Sequence, residues 1–289
     1  MLSKKLYFIL ILGASIVALV ATFLPSNYDW ISLFMIPFVV LLALVYMFSP
    51  QIDWWWFQKH PPELSTELGL ILLKYFPFYR ELSAENKKRF RHRAAMYLAD
   101  RAFIAQRGEG EGAVPEDMKV MVAANAVMLT FGRKDFILNK FERIFIYLQA
   151  FPSPDYQFLH ASELNEEDSC LLFSGEHIVL SFRAPQKYYN VVLHELARAF
   201  QLSYPDFDYP SYDNSVWDGF GKEKISKFLG FSSKDIDLFG VSVNFFFFYP
   251  EKFKELMPQS FDKFQTIFNL NPLKKRDPVV DEKVIEGVP

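Results

Sequence analysis

Cysteine is nearly absent: the chain of 289 residues has one, Cys170. A lone thiol makes neither an intrachain disulfide nor a thiolate zinc cluster, so stapled scaffolds and zinc-finger sites are excluded; Cys170 reads as a small buried apolar group. Glycine is sparse, 12 residues against 17 prolines, which excludes collagen-like and Gly-rich chains. Positive charge is not in excess. A net charge of −3 with a pI near 6.0 gives no general electrostatic reason to bind nucleic acid, so none is expected as a partner. Internal repeats and low-complexity tracts are lacking too. What is present is apolar and aromatic: 51% hydrophobic residues with 32 Phe, 14 Tyr and 5 Trp. The mean hydropathy of +0.06 is high for a soluble enzyme and directs attention to where the excess lies.

It lies first at the N-terminus. The run from Leu6 to Leu24, LYFILILGASIVALVATFL, carries no charge and is long enough to cross a bilayer core. A polar break from Pro25 to Asp29 precedes a second uncharged run, Trp30 to Phe48, in which Pro37 is tolerable for a membrane helix. Residues 1–49 are therefore expected to form a transmembrane helical hairpin with spans at about 6–24 and 30–48. A cleaved signal peptide is the alternative for the first run, but signal h-regions cover only ~7–15 residues. Lys4 and Lys5 precede the first span, Lys59, Lys74 and Arg80 follow the second, and the tip has only Asp29. The positive-inside bias then predicts a multi-pass protein of the inner (cytoplasmic) membrane with its soluble part facing the cytoplasm and the lipid bilayer as a partner. Trp54, Trp55 and Trp56 read as an interfacial belt in a juxtamembrane segment, residues 50–75, or else as packing against the first soluble helix.

The remainder suits one domain, ending in a charged tail at 274–289 that is not expected to fold. Ser83 opens a helical pattern through Phe90, Ala94 and Ala102, Gly108 to Gly112 reads as a connector, and Pro115 starts a second helix. The basic cluster Lys87, Lys88, Arg89, Arg91, His92 and Arg93 reads as a solvated helix face. Ile144 to Leu148 and His177 to Phe182 are β-prone. Helices are expected at about 187–202, 215–228, 233–248 and from Glu251 onward, an α+β pattern that is mostly helical with a small sheet.

Chemistry concentrates in NVVLHELARAFQ, residues 190–201. His194 and Glu195 begin an H-E-x-x-H pattern, in which two His one turn apart hold a metal and the Glu serves as general base on its water. The second His position is Arg198, a permanent cation with no lone pair, which cannot ligate a divalent metal. By itself an H-E pair on an amphipathic helix is a weak signal.

Three stretches add context: FPFYRELSAENKKRFRHR from Phe76, VVLHELAR from Val191, and IDLFGVSVNFFFFYP from Ile236. Together they make residues 76–273 resemble the zinc-dependent peptidase family of the Mlc titration factor, MtfA, whose active-site helix reads V-V-L-H-E-F-A-H and whose later helix reads A-E-F-F-A-V-x-S-E-x-F-F-x-x-P. The resemblance implies a zincin-like domain, His194 and Asp237 as would-be metal ligands and Glu195 as would-be general base. It places Arg198 on the second zinc-binding His, Asp237 on a Glu ligand one methylene longer, and Asn244 on a second Glu. Gly230 and Phe231 fall where an oxyanion-stabilising Tyr is expected. Arg198 is expected to stand in for the metal by pairing with Asp237 and Glu195. His177, Asp206 and Asp208 are the only nearby candidates for a substitute ligand, and each reads more simply as an edge or turn polar group. The implied protein is a membrane-anchored zincin-like domain without peptidase activity or zinc, serving as a binding or regulatory module with a protein or peptide in the former cleft. An active membrane-tethered zinc peptidase with altered ligands, and a purely structural interaction domain, are the alternatives.

Overall fold

A computed structural model describes residues 2–23, 33–60, 62–106, 112–138, 140–212, 214–217 and 221–274. The chain divides into two compact units, Met1–Pro62 and Glu63–Pro289.

The first unit holds α1 (Leu2–Phe23), α2 (Met35–Met47) and α3 (Ser49–Lys59). Among the described residues, α1 is the one single helix long and apolar enough to cross a membrane, 22 residues with a hydropathy of 2.5. Phe8, Ile9, Leu19 and Phe23 are all exposed along it, as suits a lipid-facing helix. The expected tip, with Asp29, and the start of the second run lie outside the described residues. Of the second expected span, 30–48, the described part holds α2, and the expected hairpin is not confirmed. Helix α2 has 13 residues, ~20 Å, short of the ~30 Å hydrocarbon core. The chain then turns by 65° into α3. Pro50 stands in the first turn of α3, where its missing N–H costs nothing and its ring prevents continuation of α2.

Packing within this unit is tight at two points. A Cβ on Gly13 would lie 2.6 Å from the Phe38 ring, so α1 and α2 touch there. The Asp53 carboxylate accepts from the Ser3 backbone N–H at 2.8 Å and from its hydroxyl at 2.5 Å, satisfying the amide end of α1. The tryptophan rings engage their own helix: Lys59 Nζ sits 4.1 Å over Trp55, and Trp56 stacks on His60.

The second unit runs α4 (Thr66–Tyr75), α5 (Pro77–Glu81), α6 (Ala84–Asp100), β1 (Ala102–Gln106), α7 (Glu116–Leu129), β2 (Arg143–Tyr147), β3 (Ser162–Asn165), β4 (Cys170–Ser174), α8 (Gly175–Arg183), α9 (Val191–Ser203), a 3-10 turn (Asn214–Trp217), α10 (Lys222–Leu229), α11 (Leu238–Phe248), α12 (Pro250–Leu256) and α13 (Pro258–Phe268). The architecture is the expected one, mostly helical with a four-stranded sheet of order β1-β2-β4-β3. β1, β2 and β4 are parallel, and the short polar β3 closes one edge antiparallel to β4. Strand β4, CLLFS, is buried along its whole length, as a central parallel strand requires.

Several boundaries move for local reasons. The segment expected as a strand, His177–Phe182, is helix α8: Ser174 caps it, its hydroxyl accepting from the His177 N–H, while Ile178, Ser181 and Phe182 form its inner face. The preceding residues supply β4 instead. Helix α9 starts at Val191 because the Asn190 side chain accepts from the Leu193 N–H at 2.9 Å. The expected helix 215–228 divides into the 3-10 turn and α10, and 233–248 begins only at Leu238 because Asp237 caps α11. The basic face of α6 is not wholly solvated: buried Arg93 donates to the carbonyls of Thr130, Phe131 and Arg133, closing the C-terminal end of α7. The phenylalanine run also divides. Phe246 packs with Phe261, Phe264 and Phe268 in the core, whereas Phe245 and Phe248 face a pocket described below.

Candidate functional site

Helix α9 packs against both α11 and β3. Asn190 fixes its entry, donating from its amide to Asn125 on α7 at 2.8 Å while capping the first turn. Val191 to Ala197, with Ala199 and Phe200, are buried, so His194 and Glu195 are held in the core at 3% and 2% exposure.

Both oxygens of Glu195 are occupied. The Ser162 hydroxyl on β3 donates to Oε1 at 2.8 Å, and the Arg198 guanidinium donates to Oε2 at 2.7 Å. Arg198 is one-third exposed, and the neighbouring Glu195 carboxylate holds it more firmly charged than usual, with a smaller contribution from Asp237. The expected guanidinium pairing is thus with Glu195; Asp237 acts on Arg198 through charge alone. The Asp237 carboxylate instead accepts from the Gly240 N–H at 2.7 Å, as the N-cap of α11.

His194 hydrogen-bonds to neither Glu195 nor Arg198. Its Nδ1 lies 2.7 Å from the Tyr189 hydroxyl, and the ring rests on the α11 backbone so closely that a Cβ on Gly240 would fall 2.4 Å from Nδ1. Burial raises the Tyr189 pKa well above its ordinary value, keeping the phenol protonated, and burial lowers that of His194, favouring the neutral ring. Asn244 adds a hydrogen bond to the phenol and donates to the Gly240 carbonyl at 3.0 Å. The phenol and the imidazole Nδ1 thus share one hydrogen, and Nε2 is the ring nitrogen left outside this contact.

The space enclosed by His194, Glu195, Arg198, Asp237, Glu163 and Tyr156 is only ≈30 Å³, enough for about one water. The structure therefore brings His194, Glu195, Arg198 and Asp237 to one small pocket. Asn244 sits outside it, on the Tyr189 side of the imidazole. His177 lies elsewhere, with Nδ1 2.8 Å from Ser174 Oγ, and lines a different pocket. Asp208 pairs with Lys263 at 2.8 Å and Asp206 is exposed in its turn. None of these three is a substitute ligand here. From Gly230–Phe231 the pocket receives only the phenyl ring, packed edge-on against Tyr156 at 5.0 Å.

Three contributors escaped the sequence. Ser162 is brought by strand pairing, to which no local signal points. Glu163, held by buried His160 at 3.0 Å, comes from the same strand. Tyr189 was the findable one, immediately before the α9 cap and five residues ahead of His194.

A zinc ion does not fit this donor set. Among the described residues no three His, Cys, Asp or Glu side chains form a group able to hold a metal. Glu195 is neutralised by a cation lying where a second imidazole would stand, and that cation has no lone pair to offer a metal.

The site is thus a His-Glu pair on a helix packed beside the antiparallel edge strand of a small sheet, and a family match makes it part of a metallopeptidase-type domain. The profile of the glucose-regulated metallo-peptidase M90 family matches residues 53–206, more than half of the chain, and the protein belongs to that family. The matched region includes all of α9 and ends before Asp237. No curated protein matches the chain significantly.

Proposed function

We propose that this protein is a membrane-anchored member of the M90 family that has lost peptide hydrolysis and zinc, and acts as a binding or regulatory module. The observation carrying this reading is the Ser162–Glu195–Arg198 arrangement, in which both carboxylate oxygens are committed. A general base in this family's chemistry needs a free oxygen aimed at a metal-bound water. Here the guanidinium holds that oxygen, and the residual pocket admits no peptide bond. The exposed apolar surface of α1 supports anchoring, and Lys4 and Lys5 at its start favour a cytoplasmic N-terminus.

The test uses the full chain extracted in detergent. Elemental analysis is expected to find substoichiometric zinc, and an aminopeptidase-type chromogenic substrate is expected to show no chelator-sensitive cleavage. One tightly held zinc per chain together with chelator-sensitive turnover overturns the reading.

A further inference from the structure

A second, larger cavity lies between α10, α11 and the loop leading into α9. Its volume is ≈550 Å³, within the usual range for small-molecule sites and far above that of the degenerate centre. Its composition runs against the chain as a whole. The protein is net negative, yet Lys187, Lys224, Lys227 and Lys252 line this cavity and, among the described residues, no Asp or Glu does. Lys224 and Lys227 are exposed, sit one turn apart on α10, and have no carboxylate partner among the described residues. Lys187 comes from a different segment and lies with its Nζ 5.1 Å from the Tyr188 ring.

The walls are aromatic. Phe228 stacks at a tilt between His177 and Tyr188, with centroids at 4.7 and 5.4 Å, and Phe248 lines the opposite side from α11. Like-charged ammonium groups on one rim repel, and an unfilled apolar cleft costs hydration free energy. One ligand relieves both: an anionic head among the lysines with an apolar or planar body against the rings. Tyr189 and Asn244 form part of the same lining, so the cavity borders the His194 network without including Glu195, Arg198 or Asp237.

We propose that this cavity is a binding site for a soluble organic anion carrying an apolar body, of the aryl or alkyl phosphate or carboxylate class. The site stands whether or not the His194 centre turns over peptides, so failure of either proposal leaves the other unaffected.

The test is calorimetric titration of the full chain, in a zwitterionic detergent, with 1-naphthyl phosphate as probe and 1-naphthol and inorganic phosphate as the two half-ligands. Saturable one-to-one binding of the probe is expected, with each half-ligand at least about tenfold weaker. Replacing both Lys224 and Lys227 by Glu is expected to weaken the probe at least about tenfold at unchanged Tm. If that double variant fails to fold, Lys187→Glu, on another segment, is expected to weaken it in the same direction. Absence of saturable binding, or equal affinity of wild type and charge-reversed chain, overturns the site. Displacement of the probe by nanodiscs containing phosphatidylglycerol, but not by zwitterionic ones, overturns the assignment to a soluble ligand.

Discussion

Replacing Arg198 by Met preserves much of the side-chain volume while removing the cation that faces Glu195. Glu195 is 2% exposed, and after the substitution only the Ser162 hydroxyl remains to compensate its charge. Breaking a fully buried pair from one side costs about 3–5 kcal/mol. The Arg198 side chain is 33% exposed, so water screens part of the interaction and can enter once it is gone, which brings the expected loss to about 2–3 kcal/mol. Glu195→Gln removes the charge, keeps an acceptor for Ser162, and turns an amide towards Arg198 at a cost of about 1–2 kcal/mol. In the double variant neither charge is left stranded, so its loss should fall short of the sum of the singles by at least about 1 kcal/mol. Thermal unfolding of the detergent-solubilised chain, followed by near-ultraviolet dichroism, reads this directly, at about 2–4 °C per kcal/mol for a domain of this size. An Arg198→Met variant within 1 °C of wild type, or strict additivity in the cycle, would refute the claim that the guanidinium substitutes for the metal in tying this centre together.

Arg198→His combined with Asp237→Glu rebuilds a two-His, one-carboxylate set, and the double variant is expected to take up zinc measurably by calorimetry while the wild type and each single variant do not. Gly240→Ala inserts a methyl 2.4 Å from His194 Nδ1, so the ring must leave Tyr189; a loss of about 1–3 kcal/mol is expected, and an unchanged Tm contradicts the close packing. His177 and His194 both have pKa values lowered by burial from an ordinary 6.5. The unfolded chain therefore takes up their protons first, and stability, full above pH 6.5, is lost as the pH falls below it, by up to about 1.4 kcal/mol per pH unit for each His. His177→Gln should flatten that slope just below pH 6.5, and an unaltered profile counts against the burial of His177.

The parts of the site legible in the sequence are those written along one helix. His194, Glu195 and Arg198 announce themselves by spacing, and the resemblance of the later helix places Asp237 near them. Ser162, 33 residues before Glu195, is joined to it only through the pairing of β3 with β4, which no local pattern encodes. The same limit explains α8. His177–Phe182 is a short apolar run that reads equally as strand or helix, and the Ser174 cap together with the strand just before it decides the matter. Charge favours pairing Arg198 with Asp237, but Asp237 has a competing use as a helix cap, an offer that becomes visible only once the start of α11 is fixed. The N-terminal region was legible in composition and not in shape: the 30–48 run is uncharged, while the turn into α3 belongs to Pro50, beyond the end of that run.

The clasp between Asp53 and Ser3 has a topological consequence. Two groups 2.5–2.8 Å apart cannot lie on opposite faces of a bilayer, so the start of α1 and the middle of α3 share one compartment wherever that compartment is. If α1 crosses a membrane, its orientation reduces to a single binary choice, and a reagent that reaches residue 3 from one side reports at once the side on which Asp53 lies.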